Sequence, residues 1–532
     1  MGLTKKLLAA TAIVLALGTA ASAKTFVYCS EGSPEGFDPG LYTAGQTFDA
    51  SAHPVYNRLA EFKKGTTETE PGLAETWDVS EDGLQYTFKL RPGVKFHSNA
   101  NFTPTRDMNA DDVVFSFDRQ GNKDNPWNQY VAGASWEYYT SMSMPDFVKS
   151  IEKVDDLTVR FTLNQPYAPF IANIAMPFAS IVSKEYADKL AETGQQAQLN
   201  QAPIGTGPFE FVAYQPDAVI RYKAFADYWG GKQPIDDLVF AITKDAAVRQ
   251  QRLLAGECHL MAYPNPADVP ALQQNADLTV SEQEGLNIGY LAWNTTQPPF
   301  DKPEVRRALN MAINKDAIIQ AVYQGAGQKA VSPIPPTMWS YDASLKDDAY
   351  DPEAAKKALA DAGVSNLSMK IWAMPVARPY NPNAARMAEL MQADLAKVGV
   401  TAEIVSYEWG EYLKRAADPK HDGAVLLGWT GDNGDPDNFL ATLLSCDGVG
   451  TSSNAAAFCN EEYEKVVQEA KRVSSQEERA KLYKQAQEIF KQQAPWATIA
   501  HSVVYVPMRK NVTGFVQSPL GDYTFDGVDI TE

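Results

Sequence analysis

The sequence predicts an α/β or α+β protein of several lobes, not a repeat array, an all-β barrel or a membrane bundle. Three observations carry that expectation. The chain has 532 residues, enough for roughly three domains at ~150 residues each. Strand-like and helix-like segments alternate along it. Beyond its N-terminus, no stretch approaches the ~18 uninterrupted apolar residues of a membrane span.

Lys5 and Lys6 precede an apolar run over 7–17, and Ala21-Ser22-Ala23 follows as a small-x-small site. This order reads as a secretory signal over 1–23, too short to span a bilayer. Cleavage would leave Lys24 first, where a lipid-anchored bacterial protein needs Cys; a freely soluble periplasmic protein is expected. The first 23 residues hold two Lys, so the rest carries 45 basic against 66 acidic residues, a balance of −21. Nucleic acid and anionic membrane are poor partners for such a surface.

Residues 86–90 and 157–163 alternate apolar and polar positions, as half-buried strands do. The span 303–323 reads as one helix with Val305, Leu309, Ala312, Ile313 and Ile319 on one side. A helix over 386–398 is followed by a strand over 401–408. Ser474 or Ser475, with Glu477 or Glu478 three residues on, makes a capping box that opens a helix to about Gln493. Pro203-Ile-Gly-Thr-Gly-Pro208 is the clearest breaker cluster, and a second change falls near Glu284-Gly285.

The four cysteines, Cys29, Cys258, Cys446 and Cys459, suggest two disulfides in an exported chain, with three pairings possible. Cys446 and Cys459 are near enough to bridge locally, leaving Cys29 for Cys258. On loop entropy the short bridge is worth ~3 kcal/mol and the long one ~5.

Catalytic motifs do not emerge. The five histidines are scattered and form no H-E-x-x-H. No G-x-S-x-G elbow or phosphate loop occurs. Gly205-Thr-Gly207 and Gly325-x-Gly327 are weak dinucleotide-like strings that read better as turns. The run 432–438 has the composition of a calcium loop but lacks the register and closing Glu, so it reads as Asx turns. No enzyme, cofactor or metal is expected.

Two loops carry binding chemistry. Trp372-Ala-Met-Pro-Val-Ala-Arg-Pro-Tyr-Asn-Pro-Asn383 and Gly428-Trp-Thr-Gly-Asp-Asn-Gly-Asp-Pro-Asp-Asn-Phe439 each leave an apolar, strand-like run. Ligand sites in α/β proteins lie at such exits. One loop supplies Arg378, the other Asp432. A zwitterionic peptide needs a guanidinium for its carboxylate and a carboxylate for its ammonium. Two extended residues span about 7 Å, so such a pair would measure ligand length as well as charge. Trp429 and Tyr380 could wall the site. Without further information, an ordinary pairing of Arg378 and Asp432 with each other or with surface partners is the commoner use of these residue types.

The chain resembles the peptide/nickel family of ABC-importer receptors, solute-binding family 5, over essentially its whole mature length. Residues 24–37, Pro71-Gly-Leu-Ala-Glu-Thr-Trp77, Asn109-Ala-Asp-Asp-Val113, Ile204-Gly-Thr-Gly-Pro-Phe209, 407–415 and the two loops above carry the likeness. The Asn-Ala-Asp-Asp-Val and Gly-Thr-Gly-Pro-Phe strings are family-wide; the Arg378 and Asp432 loops match dipeptide receptors more specifically.

The resemblance implies a two-lobed periplasmic binding protein clamshell (type II-like, cluster C) with an additional domain inserted in the first lobe. Lobe I would comprise 24–52, 203–284 and 501–532, the extra domain 53–202, and lobe II 285–500. It further implies that Asp432 holds a dipeptide's ammonium and Arg378 its carboxylate, with main-chain groups at Thr43, Pro379, Tyr380, Trp429, Thr430 and Gly431 on the peptide backbone. The expected disulfides are Cys29–Cys258 and Cys446–Cys459. The expected partners are a dipeptide and the inner-membrane permease subunits, with the receptor itself a monomer. A hinge closure over the ligand would follow. Longer peptides, haem or a metal chelate are the alternatives within the family, and a secreted peptidase the alternative outside it.

Overall fold

The computed structural model describes residues 23–130 and 136–531. The signal expected over 1–23 lies, but for Ala23, outside the described residues.

Apolar segments buried over most of their length form the middle of one large sheet. Thr25–Cys29 pairs in parallel with Asp237–Ala241 and with Leu260–Met261. Val219–Ala224 and Phe209–Gln215 extend this half antiparallel. In the other half, Asn287–Trp293, buried at every position, pairs with Ala424–Thr430. Ser368–Trp372 lies parallel to Ala424–Thr430 and to Thr401–Val405.

One strand joins the halves. Trp496–Arg509 pairs with Asn287–Trp293 through its first residues and with Leu278–Glu284 through its last seven. Among the described residues this makes a sheet of twelve strands. The chain passes between the halves near Gly285 and again near Ser502, and the two passages are stitched together. The Gly285 amide donates to the Ser502 carbonyl (2.9 Å), the Ser502 amide to Asn287 Oδ1 (2.8 Å), and the His501 ring bonds the Asn287 carbonyl (2.7 Å).

A separate antiparallel sheet runs Ala74–Val79, Gln85–Leu90, Thr158–Leu163, Val148–Asp155. It is covered by the helix Ala110–Gly121, whose Asn109 and Asp112 close a reciprocal capping box. The Asn-Ala-Asp-Asp-Val string is thus a helix start. The Gly-Thr-Gly string is a packing device: a Cβ on Gly205 would lie 2.0 Å from the Val55 carbonyl oxygen.

Apolar burial is organised around two main cores. One takes in residues of 286–500 together with Leu520; the other runs from Phe26 to Ala262 and resumes at 506–528. Phe62 and Trp429 pack against both.

The strands expected at 86–90 and 157–163 form, as do the helices Ala384–Lys397 and Gln476–Gln493, the latter capped by Ser475. Two expectations are corrected. The helix read over 303–323 ends at Ala312. The Asn314 side chain accepts from the Ala317 amide (3.0 Å) while its own amide donates to Asp394 (2.9 Å), so a new turn starts there, Lys315–Ile318, passing into a wider π turn at Ile319–Tyr323. The strand read over 401–408 stops at Val405, because Glu408 turns to cap the helix Trp409–Ala416. Both disulfides form, Cys29–Cys258 (Cα–Cα 5.8 Å) and Cys446–Cys459 (4.4 Å).

Candidate functional site

Ser368–Trp372 and Ala424–Thr430 are parallel neighbours, so the loops that follow them leave the same end of the sheet. These are the loops that carry Arg378 and Asp432. Both open onto a cavity of about 700 Å³ between the two cores, a volume suited to a small organic ligand. Thr43, Arg378, Pro379, Tyr380, Trp429, Thr430 and Asp432 all line it. Gly431 does not: its amide turns away and donates to the Leu286 carbonyl at 2.7 Å. That N–H is already used within the protein and is not available to a ligand.

The Arg378 loop is held by a two-bond turn in which Arg378 and Asn381 exchange backbone hydrogen bonds (3.1 and 2.9 Å). Tyr380, at its tip, packs where two glycines face each other across the strands, Gly289 opposite Gly428. A Cβ on Gly428 would sit 2.1 Å from the Tyr380 ring, and one on Gly289 would sit 2.2 Å from the Tyr380 carbonyl oxygen. That carbonyl accepts from the Tyr323 hydroxyl (2.6 Å), so it too is engaged internally. The Arg378 guanidinium lies over the Trp409 ring (5.7 Å), and among the described residues no carboxylate lies within ion-pair distance of it.

The Asp432 loop is a series of Asx turns. The Asp435 amide donates to Asn433 Oδ1 (2.9 Å) and the Asp437 amide to Asp435 Oδ1 (3.0 Å). Asn438 Oδ1 accepts from the Trp429 indole (3.0 Å) and the Asp432 amide (2.9 Å), locking both residues. Asp432 Oδ1 accepts from the Tyr138 hydroxyl (2.5 Å) and Oδ2 from Asn438 (3.1 Å). Burial pushes the Asp432 carboxyl up to about 7; the Tyr138 and Asn438 hydrogen bonds oppose this, and the nearby Asp522 adds to it. Among the described residues no cation lies within ion-pair distance of it, and it is half-buried on the cavity wall.

Tyr138 comes from the other core and reaches across the cleft. The Asn433 amide to Asn173 (2.9 Å) and the Ala168 amide to the Lys471 carbonyl (2.8 Å) bridge it as well. Tyr138, Asn438 and Trp409 escaped the sequence reading, since nothing local in Trp136-Glu-Tyr-Tyr139 hints at a partner almost three hundred residues on.

Four of the five histidines are occupied by backbone. His97, His421 and His501 bond the carbonyls of Gly207, Ala455 and Asn287, and His259 accepts from the Val27 amide. Burial holds His97 and His501 down to about 4, so both are neutral at ordinary pH.

Comparison with known proteins agrees with this layout. The family described as "Bacterial extracellular solute-binding proteins, family 5 Middle" matches residues 68–451. A dipeptide-binding protein of Escherichia coli (strain K12) is 55% identical over 519 residues, 97% of each chain. Heme-binding protein A of Haemophilus influenzae is 50% identical over 510 residues, 96% of this chain and 93% of its own. A dipeptide-binding protein from Pseudoalteromonas sp. SM9913, solved in complex with Met-Leu, superposes with a TM-score of 0.90 at 40% identity, covering 96% of this chain and all of that one. The fold and cleft define a two-lobed solute-binding protein. The chain belongs to the family 5 bacterial extracellular solute-binding proteins.

Proposed function

We propose that the protein is the periplasmic substrate-binding component of an ABC importer that captures dipeptides between its lobes and passes them to the membrane permease. One observation carries this reading most. A half-buried carboxylate and a guanidinium, neither with an ion-pair partner among the described residues, stand on adjacent loops facing one cavity. Leaving either charge uncompensated is costly, and a zwitterion bound between them removes both costs. Asp432 takes the ammonium and Arg378 the carboxylate. Thr43, Pro379, Trp429 and Thr430 lie along the peptide, and the Trp409 face keeps Arg378 aimed. Relatives named for dipeptides support the choice of ligand.

The lobes are read as 24–52 with 203–284 and 501–532, and 285–500, with 53–202 added to the first. The protein acts as a soluble monomer, freed of residues 1–23 and without catalysis. The name of the Haemophilus influenzae relative favours haem as the second reading. No histidine of the cavity wall other than His53 is offered to an iron, and the paired charges suit a peptide better.

Calorimetric titration of Ala-Ala against N-acetyl-Ala-Ala tests the ammonium site. The acetylated ligand should bind at least a hundredfold more weakly, and equal binding would refute the assignment. Arg378→Ala should cost about 1.5–3 kcal/mol of dipeptide affinity, the usual value of a charged hydrogen bond.

A further inference from the structure

Asp49 and His53 are spaced i,i+4 across the short helices Gly45–Ala50 and Ala52–Val55, which places both side chains on one side. The loop that follows Leu520 brings Asp522 to the same spot. One ligand atom from each of the three lies within 4.8 Å of the other two.

The cluster is poorly satisfied as it stands. Asp49 is 2% exposed, yet among the described residues no cation lies within ion-pair distance of it, and its recorded hydrogen bond is from the Tyr523 amide to Oδ1 (2.9 Å). The His53 side chain is only 9% exposed. Its Nε2 is buried, and its near neighbour is Asp522 Oδ1 at 3.3 Å, an ion pair when the ring is protonated. A buried imidazole facing Asp522, beside a second buried carboxylate that no cation reaches, is a donor set that a divalent cation would satisfy more fully than the present contacts do.

We propose that Asp49, His53 and Asp522 form a binding site for a divalent transition-metal ion, with zinc as the reference, on the wall of the ligand cavity. One imidazole and two carboxylates are an ordinary donor set for such ions. The ion would sit between Asp49 and Asp522 and take the His53 Nε2 that now faces Asp522. His53 and Asp522 line the cavity whereas Asp49 lies behind it, so the open coordination positions face the space where a solute enters. A ligand carrying its own imidazole or thiolate could complete the shell. The site is independent of the dipeptide reading, because zinc binding requires no peptide.

The test is calorimetric titration of zinc into chelator-treated, peptide-free protein, compared with Asp49→Asn and His53→Gln. Wild type should take up one zinc per chain with a rise in melting temperature. Both variants should bind at least tenfold more weakly and lose that rise. Asp49→Asn replaces a buried carboxyl that no cation reaches with an uncharged group of similar shape, so without metal it should melt no lower than wild type; a mainly structural carboxylate would give a drop. Absence of zinc binding by wild type, or unchanged zinc affinity in both variants, overturns the site.

Discussion

Dipeptide affinity should fall as the pH is lowered from 7 to 5, and Asp432 sets the amount. Only its ionised form pairs with an ammonium. With the ligand-free carboxyl at about 7, half the molecules are ionised at pH 7 and roughly 1% at pH 5. The apparent affinity should therefore drop about fiftyfold, about 2.3 kcal/mol, approaching tenfold per unit at the acid end. A dipeptide's own ammonium stays protonated over this range.

Binding must also expel a proton, close to one per ligand at pH 6, because the ammonium lowers the carboxyl's pKa. Calorimetry in two buffers of different ionisation enthalpy counts that proton. Asp432→Asn provides the reference, since any contribution from His53 and Asp522 persists in it.

The same shift has a stability side with a definite sign. A carboxyl raised in the fold makes the empty protein hold a proton that the unfolded chain gives up near pH 4, so the penalty is absent below that pH and grows to about 4 kcal/mol above pH 7. Asp432→Asn should thus bind poorly yet melt higher than wild type at pH 8. A flat affinity profile between pH 7 and 5, or proton uptake on binding, would refute this account.

Other expectations follow from single contacts. Tyr138→Phe removes the hydroxyl that Asp432 accepts from; the carboxyl's pKa should rise further, and affinity at pH 6 should fall more than at pH 8, as read by the same titrations. Gly428→Ala drives a methyl into the Tyr380 ring and should cost about 1–3 kcal/mol in urea unfolding, with weaker dipeptide binding because the Arg378 turn shifts. Arg119 makes two bonds to the buried Asp38 (2.6 and 2.8 Å); Arg119→Ala strands that carboxylate and should cost about 3–5 kcal/mol by the same measurement.

What could be read in advance followed the range of each interaction. The strand Gln85–Leu90 and the Ser475 cap are local events, set by alternation and by one hydroxyl, and both were legible. So were the Arg378 and Asp432 loops, whose Pro, Gly and Asn mark strand exits. The break at Ile313-Asn314 was not, because Asn314 is held by Asp394, eighty residues on. Nor was the loss of the Gly431 amide to Leu286, a cross-strand pairing that no spacing rule predicts. Tyr138 stayed hidden for the same reason: its partner is on another lobe.

The strand Trp496–Arg509 has a consequence for how the molecule comes apart. It is an interior member of both halves of the large sheet, so neither half can melt without stripping a ladder from the other. Two cores that could have behaved as separate cooperative units should therefore melt in one transition, and hydrogen exchange should find the slowest amides along this strand. The long-range Cys29–Cys258 bridge stands two strands away and ties Thr25–Cys29 to the start of Leu260–Met261 within one half of the sheet. Mechanically, the shared strand resists separation of the two halves, because pulling them apart must break backbone hydrogen bonds along it.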